Sequence, residues 1–174
     1  MSIPAEVESI PALRQLLPDA DHVDVKVYEG ELSLNEFIAG FLNFYPGWMK
    51  SLYRVRWAFV RLLGMAQRGI PPVPTLRPDA IPMRRGEKAT FFTVEAAEAD
   101  RYWLVCADEP HLAAYLGIVA QPLTATRRRF YVTTIVHYHQ WTGLVYFNVI
   151  RPFHHLVVHS MARKALARTQ PALG

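Results

Sequence analysis

Polar and apolar residues alternate along 21–28, where Val23, Val25 and Val27 share one face. That period of two predicts a half-buried strand. Four more strands are expected over residues 89–96, 101–107, 111–121 and 128–139. Turn-forming stretches at 97–100, 108–110 and 122–125 separate them, and such short connections imply an antiparallel meander. Two helical segments precede the meander. Ser33 followed by Glu36 forms a capping box that opens a helix through about residue 45, where Pro46-Gly47 ends it. A second helix is expected over 48–66, with Trp48, Leu52, Val55, Phe59, Leu62 and Leu63 in one stripe. Lys50, Arg54, Trp57 and Arg61 fall opposite. The last element is a long helix over about 142–167.

This order of strand, two helices, several strands and long helix predicts an α+β fold. A curved antiparallel sheet wrapped around the C-terminal helix satisfies it, because the helix stripe covers the concave face. Residues 1–20 carry Pro4, Pro11 and Pro18 and read as an N-terminal arm with one short helix near 12–17. Residues 21–168 form one domain, and 169–174 a tail. Within the domain, residues 70–82 hold Pro71, Pro72, Pro74, Pro78 and Pro82, so no regular element is expected there. That loop is either a flap over a site or a surface connection.

A chain of 174 residues, 51% apolar, can bury a sizeable core. The net charge of +4 conceals an asymmetry. Residues 1–47 hold eight acids against Arg14 and Lys26, whereas 48–88 hold nine bases against Asp79 and Glu87. No acid follows Glu109. Such a pattern marks either an anionic partner or two segments that face each other. No run of bases exceeds Arg127-Arg128-Arg129, and nucleic acid is not an expected partner. Trp57 among bases suits a membrane-surface or protein contact, or cations packed on its ring. Cys106 is the single cysteine, lies in an apolar run and reads as a buried structural thiol. With no disulfide, no signal-peptide pattern and no transmembrane stretch, a soluble cytoplasmic protein is expected.

Five of the seven histidines lie between Arg127 and Leu166. His137/His139 and His155/His159 have the spacing of metal ligands on a strand and a helix. Periodicity separates the pairs. On the last strand Phe130, Val132, Thr134, Val136 and Tyr138 share the face expected to line a cavity, and His137 and His139 share the other. On the helix Tyr146, Val149, Ile150, Phe153, Val157, Ser160 and Met161 form the stripe expected to face the sheet, with His155 and His159 turned outward and His154 at the border. No metal and no cofactor are therefore expected. Pro152 must either kink this helix or restart it. Asp108 and His111 bracket a turn, where a carboxylate beside an imidazole either orients a general base or makes a backbone turn contact.

Several short motifs carry a resemblance. They are Pro46-Gly47-Trp48 with Arg56, Asp108-x-x-His111-Leu112, Tyr138-His139-Gln140-x-x-Gly143-x-x-Tyr146 and Arg151-Pro152-Phe153-His154. In this order they resemble a bacterial family of unknown function within the START and birch-pollen-allergen superfamily (SRPBCC, polyketide cyclase-like), over about residues 20–166. The chain departs at Ala113 and Tyr115, where relatives tend to carry an acid and a base, and at Leu144, where they tend to be basic. The resemblance implies a helix-grip fold and lends no established activity.

The leading expectation is a small apolar ligand between sheet and C-terminal helix, lined by Phe130, Thr134, Tyr138, Tyr146, Ile150 and Phe153, with Asp108 or His111 near the entrance. One alternative is a cyclase, dehydratase or hydrolase acting on a polyketide- or lipid-like substrate through Asp108, His111, Tyr138 or Tyr146. Another is an interaction module that applies the basic helix around Trp48 and Arg61 to a membrane or protein surface.

Overall fold

The computed structural model describes residues 3–62 and 75–167. The predicted first strand is β1 (His22–Gly30), and its two faces serve different layers. Val23 and Val25 pack against an N-terminal arm, while the intervening polar residues face the long C-terminal helix. Five further strands follow: β2 (Lys88–Ala89), β3 (Phe92–Glu98), β4 (Tyr102–Glu109), β5 (Leu112–Pro122) and β6 (Arg128–Tyr138). The six form one antiparallel sheet in the order β1-β6-β5-β4-β3-β2. The meander is therefore as expected, and β1 closes it by pairing with β6. The stretch expected as one strand over 89–96 is divided instead. Thr90 takes a left-handed φ of 64°, which turns the chain between β2 and β3.

The arm is two short helices, α1 (Ala5–Glu8) and α2 (Pro11–Arg14), rather than one. Helices this short are unstable alone, so packing must hold them. Val7, Ile10 and Leu13 are buried against Leu104, Val119, Tyr131 and Ile135 on the outer face of the sheet. Each such burial contributes roughly 1.5–3 kcal/mol, enough to make the arm an integral layer. Gly117 lets the arm approach, since a Cβ there would press on the Leu13 side chain.

The inner face carries three helices. In α3 (Leu34–Leu42), Ser33 Oγ accepts from Glu36 N at 3.2 Å and Glu36 Oε2 accepts from Ser33 N at 2.8 Å, so the expected capping box forms. The helix stops short of residue 45 because Asn43 turns aside. Its side chain donates to Leu76 O at 2.7 Å and accepts from Leu76 N at 2.8 Å. Phe37 of α3 stacks on Phe130 at 4.2 Å between centroids, within the main core alongside Phe41, Trp103, Val105 and Ile118. Residues 63–74, including residues 70–74 of the proline-rich loop, lie outside the described residues. Its end makes a single 3-10 turn (Pro78–Ala80), and Pro82 O accepts from the Trp103 indole at 2.8 Å.

The second helix is α4 (Gly47–Leu62), and the last is α5 (Trp141–Ala167), which runs through Pro152 as one helix. In both, the buried side is rotated from the expected stripe. Met49 and Val60 are the buried residues of α4, whereas Trp48 and Val55 are exposed. The side chains of Phe59, Leu62 and Leu63 lie outside the description. On α5 the inward side is Gly143, Phe147, His154, Val158, Ala162 and Ala165, about a quarter turn from the Tyr146–Phe153–Val157 stripe. Val149 and Phe153 are exposed. The C-terminal half of α5 packs on α3, where Gly40 meets Ala165 closely.

Leu13→Ala tests the integral role of the arm. It should cost about 2–4 kcal/mol in urea unfolding, the range for a truncated core leucine. A loss below about 1 kcal/mol would show that the arm is dispensable.

Candidate functional site

The register of β1 with β6 places His22, Asp24, Lys26 and Tyr28 opposite Val136, Thr134, Val132 and Phe130, all on the inner face. The part of α5 from Phe147 to His159 lies over them. Lys26 forms an ion pair with Asp24 and donates from Nζ to His155 Nδ1 at 2.8 Å. Asp24 Oδ2 stands 3.3 Å from the same Nδ1. Beside this trio, Thr134 Oγ1 and His154 Nε2 form a hydrogen bond at 3.1 Å. Burial pushes His154 down to about 4, so it is neutral at physiological pH. Burial, with Arg151 next, also lowers His22, whose Nε2 is enclosed without a partner among the described residues. Farther along, Tyr28 OH meets His159 Nδ1 at 3.3 Å.

A second cluster sits at the start of α5. Arg56 of α4 donates to Tyr146 OH and also lies over that ring, 5.5 Å from its centroid. The His111 ring meets Tyr146 edge-on at 5.2 Å. Burial raises Tyr146 despite the opposing pull of Arg56, and burial with Arg56 lowers His111. The His111 carbonyl accepts from the backbone N–H of His139 at 3.0 Å and of Gln140 at 3.3 Å. Gly143 packs on that same carbonyl so closely that a Cβ would collide with it. Asp108 pairs not with His111 but with His139, at 3.2 Å on the surface.

Phe147 joins the two clusters. Its ring lies 4.9 Å from His22, 6.1 Å from Tyr138 and 6.2 Å from His154. Around it Leu112, Val136 and Tyr146 are buried, with Tyr138 and Ile150 half-buried. The six residues expected to line a cavity therefore divide. Thr134, Tyr138, Tyr146 and Ile150 border this seam, Phe130 is deep in the core against Phe37, and Phe153 points outward. The outward placement expected for His155 and His159 is corrected, since both rings contact β1. His137 and His139 stay on the other side of the sheet or at its end, and His137 Nδ1 meets Asp19 O at 3.0 Å. Among the described residues no three His, Cys, Asp or Glu groups converge to hold a metal ion. Asp24, Lys26 and His22 were missed because the valines of β1 drew attention to its other face.

The outer face of β2–β4 bears a depression of about 310 Å³ lined by Lys88, Phe91, Thr93, Glu95, Cys106 and Asp108. Burial pushes the Cys106 thiol up to about 11, which keeps it protonated and inert.

Two expectations follow. Below pH 6.5 unfolded chains protonate a histidine that the folded chain keeps neutral. Stability attributable to His154 is thus present above about 6.5 and lost as pH falls toward about 4, by up to about 3 kcal/mol. His154→Gln, which keeps a hydrogen-bonding group, should flatten the pH dependence of the urea midpoint between pH 7 and 5. An unchanged slope would assign that dependence elsewhere. Gly143→Ala should cost at least about 2 kcal/mol, since the obstacle is backbone rather than a movable side chain. A thermal midpoint equal to that of the parent would contradict this.

No curated protein matches the chain. Its fold is similar to a hypothetical protein from Helicobacter pylori at 13% identity and a TM-score of 0.47, covering 90% of this chain and 94% of that one. No helix among the described residues is long and apolar enough to cross a membrane. Residues 15–161, which contain both clusters and every motif joining them, match a family described as Protein of unknown function (DUF2867), and the chain belongs to that family.

Proposed function

We propose that the protein binds a small, largely apolar ligand in the seam between β1/β6 and the N-terminal half of α5. One observation carries this reading: the edge strand β1 turns His22, Asp24 and Lys26, not Val23 and Val25, toward the helix. Enclosing a carboxylate and an ammonium costs several kcal/mol that an apolar contact avoids. Anchoring the helix employs Lys26 through His155 but does not call for the enclosed His22 Nε2, which has no partner among the described residues. A ligand with one polar end does, since Thr134, His22 and Lys26 would receive that end while Phe147, Ile150 and Tyr138 meet the apolar body. Tyr146 closes the seam at the α4 side. The grip-like arrangement of sheet and helix, and its likeness to the START and birch-pollen-allergen superfamily, support a ligand at this place.

Native mass spectrometry of the purified protein should detect a co-purified small molecule, and an anilinonaphthalene dye should bind saturably. Ile150→Trp should weaken the dye by about tenfold or more by filling the seam, whereas Val149→Glu on the outward face should not. Dye binding abolished by Val149→Glu but indifferent to Ile150→Trp would refute the seam.

The Arg56–Tyr146–His111 cluster favours a second reading, an enzyme of the cyclase, dehydratase or hydrolase kind. There the Tyr146 hydroxyl, held by Arg56, would donate a hydrogen bond to a substrate oxygen. This reading requires Tyr146→Phe to lose turnover on a hydrophobic substrate while retaining dye binding.

A further inference from the structure

The rotation of α5 leaves an apolar face with no described cover. Trp141, Val145, Val149, Pro152, Phe153 and Leu156 are spaced at three to four residues and lie on the side away from the sheet. Trp141 is 72% exposed, Leu156 53%, Val149 48% and Phe153 46%. Isolated surface hydrophobics are ordinary, but an uninterrupted stripe over four turns is not. It is about 22 Å long. α4, which meets α5 through Arg56 and Tyr146, exposes Lys50, Arg54, Trp57 and Arg61 along one flank, where the Arg61 guanidinium lies 5.4 Å from the Trp57 ring centroid, and Trp48 and Val55 along the other.

Charge decides what fits this face. α4 and α5 together carry seven Lys or Arg and no Asp or Glu. A second copy brought against the stripe by two-fold symmetry would oppose cation-bearing helices with no acid on either to neutralise them. An anionic lipid surface satisfies both features, since apolar side chains enter the headgroup boundary while the flanking bases meet lipid charge. We propose that the outward face of α5, together with the exposed bases of α4, docks on an anionic membrane surface with the helix lying in the interface. The proposal goes beyond ligand binding in the seam, which uses the opposite side of the same helix.

The test is co-sedimentation of the full chain with phosphatidylcholine vesicles, with and without phosphatidylglycerol. Binding should require phosphatidylglycerol and weaken as salt is raised. Val149→Glu combined with Leu156→Glu should reduce it by about tenfold or more, as should Lys50→Glu with Arg54→Glu. If the first pair does not fold, Trp141→Glu at the exposed start of the helix replaces it. Failure to bind acidic vesicles would overturn the proposal, as would equal binding to neutral ones. So would a dimer in light scattering that Val149→Glu and Leu156→Glu convert to monomer, or capture of an acidic protein without vesicle binding. Dye binding in the seam, retained in these variants, separates failure of membrane docking from failure of the ligand reading.

Discussion

Everything in this fold depends on the sheet being covered on both faces. The N-terminal arm claims the outer face through Val7, Ile10 and Leu13, and three helices claim the inner one. A strand buried on both sides normally reads as a continuous apolar run. The central strands do so, as in β4 from Trp103 to Cys106. β1, at the sheet edge, is the exception. Val23 and Val25 go to the arm, and His22, Asp24, Lys26 and Tyr28 are left to meet α5. The polar layer under the helix is thus a consequence of which layer took the apolar face.

This is also why the fold was more legible than the site. Strand periodicity has two phases, and the turns and hydrophobic runs set most strand limits within a few residues. The capping box at Ser33 and Glu36 named its helix start outright. The inner and outer faces of β6 were read correctly from Phe130 to Tyr138, because one residue of error would reverse every side chain. Helix phase was harder. Apolar residues surround most of α5, so hydrophobicity has no single direction along it and a stripe centred on Tyr146 and Phe153 fits as well as one centred on Phe147 and Val158. Similarly, the two faces of β1 could not be ranked without knowing that the arm folds back over the sheet.

Of the motifs that carry the family resemblance, those around Arg56, His111 and Gly143 meet at the start of α5, and part of the reason is backbone architecture. The His111 carbonyl receives two N–H groups from the β6–α5 connection and leaves room only for glycine at 143. This fastens the β4–β5 turn to the helix that follows β6. Gly143, Gln140 and the backbone of His111 are accounted for by that fastening. Arg56 and Tyr146 are not, because a buried tyrosine hydroxyl can find a cheaper partner than an arginine from another helix. The chemistry-bearing remainder of the motif set is therefore the Arg56–Tyr146 contact, with the His111 ring against it.

Since hydrophobicity does not orient α5, something else must. Among the described residues its polar contacts to other elements are Tyr146 with Arg56, His154 with Thr134, His155 with Lys26 and His159 with Tyr28. Turning the helix to the stripe predicted from periodicity would bury Val149 and Phe153 but would break these four contacts, leaving Asp24 and Lys26 under apolar side chains. Asp24 and Lys26 would still pair with each other, but four hydrogen bonds at roughly 0.5–1.5 kcal/mol each, together with the burial of Phe147 and Val158, outweigh what burying Val149 and Phe153 returns. The histidines whose spacing first suggests a metal thus fix the rotation of the helix. The apolar face they turn outward is the direct consequence of that choice.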